Sequence, residues 1–233
     1  MIYCITGTNT DVGKTIATAA LAAHYTAQGL RVTVAKPVQT GEPPGHGDTA
    51  TVARLTGVQT CEFVRYPEPL APNLSARHAG ISQPDREELV NWIRHIEADI
   101  VLVEGAGGLL VRLADDFTLA DVAADLSAPL IVVTSLGLGS LNAAELTVEA
   151  AHSRGLKVAG LIGGSLPATP DLATRLNIQE LPHITGVPLL GCIPAGAGAL
   201  NQEEFRSHEF FNPAALPLLA PSPASPKIVD SDR

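Results

Sequence analysis

The sequence predicts an α/β domain built on a mostly parallel sheet with helices on both faces. Three observations predict it. Short apolar runs alternate with longer helical stretches as far as Pro194. Two of those runs, Ile100-Val-Leu-Val103 and Leu130-Ile-Val-Val133, are apolar on both faces, as strands covered from both sides must be. And although 45% of the chain is hydrophobic, only 4% is aromatic. Alanine and glycine fill the difference, which suits closely packed layers and backbone turns near a ligand.

The elements follow in order. Ile2 to Thr6 is a strand candidate, followed by a glycine-containing turn and a helix from Thr15 to Gln28 that Gly29 stops. Val32 to Ala35 makes the next strand, Pro37 to Gly47 a loop, and Asp48 to Leu55 a short helix. Tyr66 to Asn73 holds three prolines and is predicted as a second long loop. Ser82 introduces a helix with Trp92 and Ile96 on its apolar side. The strand from Asp99 to Val103 runs into a glycine-rich turn, Glu104 to Gly108. Helix Thr118–Leu126, strand Pro129–Thr134, helix Leu141–Arg154 and strand Lys157–Ile162 come next, and a last strand, Leu189 to Ile193, ends at Pro194. There is no internal repeat. Residues 1–215 form one domain, and the proline-rich segment 216–233 is predicted as a flexible tail.

Charge narrows the function classes. The 233 residues carry a net charge of −9, which argues against a nucleic-acid groove lined by Lys and Arg. Only four lysines occur, at positions 14, 36, 157 and 227, so an anionic ligand needs locally placed charge. Three scattered cysteines without C-x-x-C spacing, no secretory leader pattern and no membrane-length apolar run lead to the expectation of a cytoplasmic protein with reduced thiols.

The most specific feature is Gly7-Thr-Asn-Thr-Asp-Val-Gly-Lys-Thr15 between a strand and a helix. A phosphate-binding loop needs inward-turned N–H groups, a helix N-terminus behind them, a lysine for the β/γ-phosphates and a hydroxyl for Mg²⁺. All are present in order, with five residues between the glycines where the strict pattern has four. Lys36, at the expected carboxyl end of the second strand, is either a phosphate ligand brought to the edge that holds Lys14 or a solvated strand-end lysine. Glu104 ends a buried strand, where a nucleotide-bound Mg²⁺ finds a carboxylate. Asp48 suits the same task if the preceding loop folds over the phosphates, and equally suits a plain helix N-cap. Asp115, Asp116, Asp121 and Asp125 are taken as structural. No zinc-protease, serine-hydrolase or guanine-recognition motif occurs.

The combination of this loop with Lys36-Pro-Val-Gln-Thr-Gly41 and Val103-Glu-Gly-Ala-Gly-Gly108 resembles the dethiobiotin synthetase family over roughly residues 1–195. Leu138-Gly-Ser-Leu-Asn142 and Leu190-Gly-Cys-Ile-Pro194 are also similar. The resemblance implies a P-loop fold and an ATP-dependent cyclo-ligase of biotin biosynthesis. Such an enzyme closes the cyclic urea of dethiobiotin on 7,8-diaminononanoate with CO₂, through a carbamate and a carbamic–phosphoric anhydride. It also implies catalytic Lys14 and Lys36, Mg²⁺ on Thr15, Asp48 and Glu104, and nucleotide contacts along Asp11, Val12, Gly13, Lys14, Thr15 and Ile16. Further nucleotide contacts are implied at Gly105, Ala106, Gly107, Gly164, Ser165, Ile193, Pro194 and Ala195. Substrate contacts are implied at Thr10 and Thr40, and across a homodimer interface at Gly139, Ser140, Leu141 and Asn142. Asp11 matches an acidic loop position suited to orienting the substrate amines. Gly164 stands where many members have an adenine-reading asparagine, which leads to the expectation that CTP or other triphosphates compete with ATP. The alternatives are a partition-type or amide-synthase-like P-loop ATPase, and a scaffold that dimerises on nucleotide. The partition-type reading asks for an extra lysine early in the loop, where Thr8, Asn9 and Thr10 stand, the amide-synthase-like reading asks for a glutaminase domain with a nucleophilic cysteine, and the scaffold leaves Lys36 without a task.

Overall fold

The computed structural model describes residues 1–211; the expected tail lies outside them. Seven strands form one sheet in the order β3-β2-β4-β1-β5-β6-β7, and every pairing is parallel. They are β1 Ile2–Gly7, β2 Val32–Thr40, β3 Gln59–Tyr66, β4 Ile100–Gly108, β5 Leu130–Thr134, β6 Val158–Leu166 and β7 Leu189–Pro194. The helices are α1 Lys14–Ala27, α2 Asp48–Thr56, α3 Pro72–Ala79, α4 Arg86–Arg94, α5 Leu119–Leu126, α6 Ser140–His152, α7 Leu172–Thr185 and α8 Gln202–Ser207. No helix among these is long and apolar enough to cross a membrane.

Strand alternation divides the core into two layers. In β4, Ile100 and Leu102 face one layer and Val101 and Val103 the other. The first layer is closed by α1, whose Ala17, Ala19, Ala20 and Ala22 are fully buried, so the helix backbone lies close on the sheet. The second layer packs Leu89 and Ile93 of α4, Leu119 and Val122 of α5 and Val148 of α6 under the opposite face. The low aromatic content thus reflects close layer packing.

The structure departs from the sequence-based expectations in instructive places. β2 continues to Thr40, so Lys36 stands in mid-strand and the loop begins only at Gly41. Pairing with β4 ends at Ala35↔Val103, whereas pairing with β3 continues to Thr40↔Tyr66. Pro37, without an N–H, therefore sits where only one edge of the strand is paired. β4 lies between β1 and β2, so Lys36 reaches the phosphate end from two strands away from β1. β3 and α3 fall mainly in stretches for which the sequence predicts no element, and they shorten the expected loop Tyr66–Asn73 from both ends; Pro72 at the start of α3 is compatible with helix because its missing N–H is not needed there. The helix expected from Ser82 begins at Arg86, capped by the Asp85 carboxylate, which accepts from Glu88 N–H at 2.9 Å, and ends before Ile96. α7 and α8 have no counterpart in the sequence-based expectations; Pro182 inside α7 masks that helix, because a proline beyond the first turn removes an intrahelical hydrogen bond and normally argues against helix.

Candidate active site

The carboxyl ends of β1, β2 and β4 border an open cleft of about 890 Å³. Thr10, Asp11, Gly13, Lys14, Thr15 and Ile16 line one wall, and Lys36, Thr40, Asp48, Glu104, Ala106 and Gly107 the floor. Pro69, Leu70, Ala71 and Pro72 complete the far side. This is the position at which open parallel sheets bind ligands.

The loop is shaped by its glycines. Gly13 caps α1 in a left-handed conformation (φ 95°, ψ 22°), and a Cβ there would stand 2.4 Å from Gly164 O. No other residue type fits both demands. Lys14 is 8% exposed and donates to Asn9 O at 3.1 Å, closing the loop on itself. Burial lowers the pKa of its ammonium, and the Lys36 charge lowers it further, while Glu104, Asp48 and Asp11 oppose the shift. Asp11, exposed at the loop crest, holds a positive φ of 57°, an uncommon conformation for a non-glycine residue.

Below the loop, four groups converge. Thr15 Oγ1 lies 2.8 Å from Asp48 Oδ1 and 2.9 Å from Glu104 Oε1. Lys36 Nζ donates to Glu104 Oε1 at 3.2 Å and to Gly105 O at 2.9 Å, and it is ion-paired with Asp48. Lys36 and Glu104 are 4% and 1% exposed, so their charges are carried almost without solvent. Burial alone would lower the Lys36 pKa, but the Glu104 and Asp48 carboxylates raise it and hold the ammonium charged. Burial likewise works to raise Asp48, yet Lys36 and the Thr15 hydroxyl hold it below its ordinary value. At Glu104 burial prevails, and the pKa is raised.

The residues present fit a nucleotide-borne Mg²⁺. Glu104 Oε2 is buried and has no hydrogen-bond partner, and it belongs to the carboxylate that already faces Thr15. Among the described residues no cluster of three His, Cys, Asp or Glu exists. A cation completed by phosphates and water needs none, because one hydroxyl and one or two carboxylates suffice.

Other expected residues are placed differently. Asp48 is not a helix N-cap: Gly47 occupies that position, and the Asp48 carboxylate turns into the cleft. Val12 and Ile193 are 7% and 1% exposed, with side chains in the core, so neither offers a side chain to a nucleotide. Ser140 is 1% exposed; its N–H bonds Gly137 O, and its hydroxyl accepts from Asn177 Nδ2 at 3.2 Å. That leaves Leu141 and Asn142 to supply amides at the α6 N-terminus, next to exposed Gly139 and outside the cleft lining. Pro194 is half-buried, while Ala195, just past β7, and Ser165, next to last in β6, are exposed.

Gly164 requires a correction of reason. A Cβ there would stand 1.6 Å from Val12 O, so the position accepts no side chain of any kind. Its glycine answers to β6 backbone seated directly under the loop, rather than to the loss of a base-reading group. Gly164→Ala is expected to push the loop out of place, costing about 1–3 kcal/mol of stability and about tenfold or more in nucleotide affinity. Thermal denaturation and calorimetric titration with ADP check this. An alanine variant as stable and as tight as the parent would refute it.

Several lining groups were missed. Val38, Gln39, Glu42 and Val111 line the cleft, as do the prolines at 69 and 72. The last had a legible signal, a proline-rich segment placed between a strand and a helix at the sheet's carboxyl edge.

Comparison with known proteins bears on this geometry. A family model described as an AAA domain matches residues 2–202. The chain is 64% identical over 206 residues to the ATP-dependent dethiobiotin synthetase BioD of Corynebacterium diphtheriae, covering 88% of this chain and 93% of that protein. It is 52% identical over 211 residues to the protein of the same name from Streptomyces coelicolor, covering 88% and 89%. Among solved structures, the septum site-determining protein MinD complexed with Mg-ADP from Pyrococcus horikoshii superposes with a TM-score of 0.55 at 17% identity, over 90% of each chain. The MinC:MinD complex of Aquifex aeolicus gives 0.52 at 15% identity, over 83% and 81%. At such identities these structures establish the fold alone.

Proposed function

The chain belongs to the ATP-dependent dethiobiotin synthetases, ligases of biotin biosynthesis, and from that premise we propose how its own residues carry the reaction. The substrates are 7,8-diaminononanoate, CO₂ and ATP. One amine adds to CO₂ and loses a proton to give a carbamate. A carbamate oxygen then attacks the γ-phosphorus, ADP leaves, and a carbamic–phosphoric anhydride results. The second amine attacks its carbonyl carbon, the ring closes, and phosphate departs.

The convergence of Lys36, Thr15, Asp48 and Glu104 beside a phosphate loop carries this reading. Phosphoryl transfer asks mainly for positioning and for charge placed where it develops. Lys14 and the α1 N-terminus face the β/γ-phosphates, and Lys36 faces the transferring phosphoryl and the carbamate. Thr15, Asp48 and Glu104 would hold Mg²⁺, which supplies charge neutralisation on the phosphate oxygens. Thr10 and Thr40 offer hydroxyls to the carbamate side, with Asp11 beside the amines. Leu70, Leu74 and Leu110 are each more than 40% exposed and Leu138 is 95% exposed. Together they support a homodimer in which the α6 N-terminus of one protomer receives the substrate carboxylate held in its partner's cleft.

Lys14 and Lys36 are offset in charge by Asp48 and Glu104, and Asp11 and Glu42 also line the cleft, so attraction for the nucleotide comes from loop amides and the metal rather than from a general positive field. A base beyond Ser165 and Ala195 meets backbone and one hydroxyl. CTP is therefore expected to support turnover within about tenfold of ATP; a preference for ATP of 100-fold or more would refute this. The deciding test is phosphate release with ATP, bicarbonate and the diamine, omitting each in turn. Release that ignores the diamine would overturn the synthetase reading.

A further inference from the structure

Asp48 reaches the cleft only because α2 starts where it does, and the start of α2 is held from outside by the edge strand β3. Arg65 of that strand donates through Nη1 to Glu42 O at 2.7 Å and Pro43 O at 3.0 Å, and through Nη2 to His46 O at 3.0 Å. Glu62 holds the guanidinium in turn, with Nε to Oε2 at 3.0 Å and Nη2 to Oε1 at 2.6 Å. The same Glu62 carboxylate accepts from the hydroxyl of Thr49, the residue after Asp48. The Arg65 and Glu62 side chains are 21% and 19% exposed, so this pair is better sheltered than an ordinary surface ion pair. On the inner side, Gln39 Oε1 accepts from Asp48 N–H at 3.0 Å.

We propose that Arg65, together with Glu62, is a positioning residue for phosphoryl transfer: it holds the segment 42–46 and the start of α2 so that the Asp48 carboxylate stands at Thr15 and Lys36. The planar guanidinium fork serves three carbonyls and the Glu62 carboxylate at once from a fixed array of five donors, which the three donors of an ammonium do not match. The strand itself does not depend on it, because β3 is paired with β2 from Thr33↔Gln59 to Thr40↔Tyr66. Removing the fork therefore frees the loop rather than the sheet. Arg65 does not itself line the cleft: it holds the backbone of the segment 42–46, including that of the lining residue Glu42, and its action on the chemistry passes through Asp48. The inference rests on the reading of Thr15, Asp48 and Glu104 as the Mg²⁺–nucleotide end of the site.

The test compares ADP affinity with Mg²⁺ and with EDTA by calorimetry, for the parent, Arg65→Met and Arg65→Lys, alongside amide hydrogen exchange over residues 42–50. The parent is expected to bind more tightly with Mg²⁺. Both variants are expected to lose about tenfold of that Mg²⁺-linked gain while the EDTA affinity stays within about twofold, with faster exchange confined to the segment. Arg65→Lys keeps the charge opposite Glu62 and carries the comparison alone should Arg65→Met not fold. An unchanged Mg²⁺-linked gain in the lysine variant would overturn the positioning role while leaving the metal reading intact. A parent whose affinity ignores Mg²⁺ would overturn the metal reading, and this inference with it.

Discussion

Lys36→Ala is expected to reduce kcat about 100- to 1000-fold, the scale associated with losing one preorganised donor to a developing charge, while ADP binding weakens only a few-fold. The separation follows from geometry. Lys14, the loop amides and the α1 N-terminus remain in place, whereas the ammonium against Glu104, Asp48 and Gly105 O is gone. Stability should also fall. Glu104, 1% exposed, loses its nearest cation, and breaking a buried pair costs about 3–5 kcal/mol unless the remaining carboxyl takes up a proton. Since burial already raises the Glu104 pKa, that proton is readily taken, so the measured loss should shrink as pH falls. Steady-state kinetics, calorimetric titration with ADP and denaturation at several pH values check the three parts. A variant with parental kcat would remove Lys36 from the chemistry, and one that loses ADP binding as severely as turnover would make it a binding residue.

The phosphate end of this site was legible in the sequence because backbone chemistry dictates it. A loop that must turn amides inward and cap a helix needs glycines at fixed places, and Gly7, Gly13, Lys14 and Thr15 stand there. Lys36 was legible by scarcity, as one of four lysines, yet its place in mid-strand was not. Proline normally ends a strand prediction, and only the one-sided pairing beyond Ala35 makes Pro37 admissible. The dual reading of Asp48 turned on a single residue: Gly47, at φ 101° and ψ −161°, takes the cap position and frees the carboxylate. Gly164 shows the opposite failure. Its correspondence to a base-reading position drew attention to a missing side chain, whereas the governing fact is a backbone approach that no one-dimensional pattern reports. Arg65 was illegible for a related reason, since three of its partners are carbonyl oxygens, which every residue possesses.

Glu104→Gln is the second large effect, and it separates charge from shape. Glutamine keeps the volume and one carbonyl oxygen for Thr15 and Lys36, but removes the negative charge that Mg²⁺ and Lys36 share. Turnover is expected to fall about 100-fold or more, with the Mg²⁺ concentration for half-maximal rate rising at least about tenfold. Proton linkage gives the change a signature. Burial raises the Glu104 pKa, so the folded metal-free protein binds that proton more tightly than the unfolded chain does. Its stability therefore falls as pH rises from the ordinary value of 4.5 through the raised one. Metal and proton compete for the same carboxylate, so Mg²⁺-linked ADP affinity in the parent should strengthen as pH rises over that interval. The glutamine variant has no such proton, and both dependences should flatten in it. Asp48 does not supply them instead, because its pKa is held below the ordinary carboxylate value and it stays ionised throughout. Calorimetric titrations across pH for parent and variant read this directly; a variant whose Mg²⁺ linkage keeps the parental pH slope would show that the titrating ligand is another group.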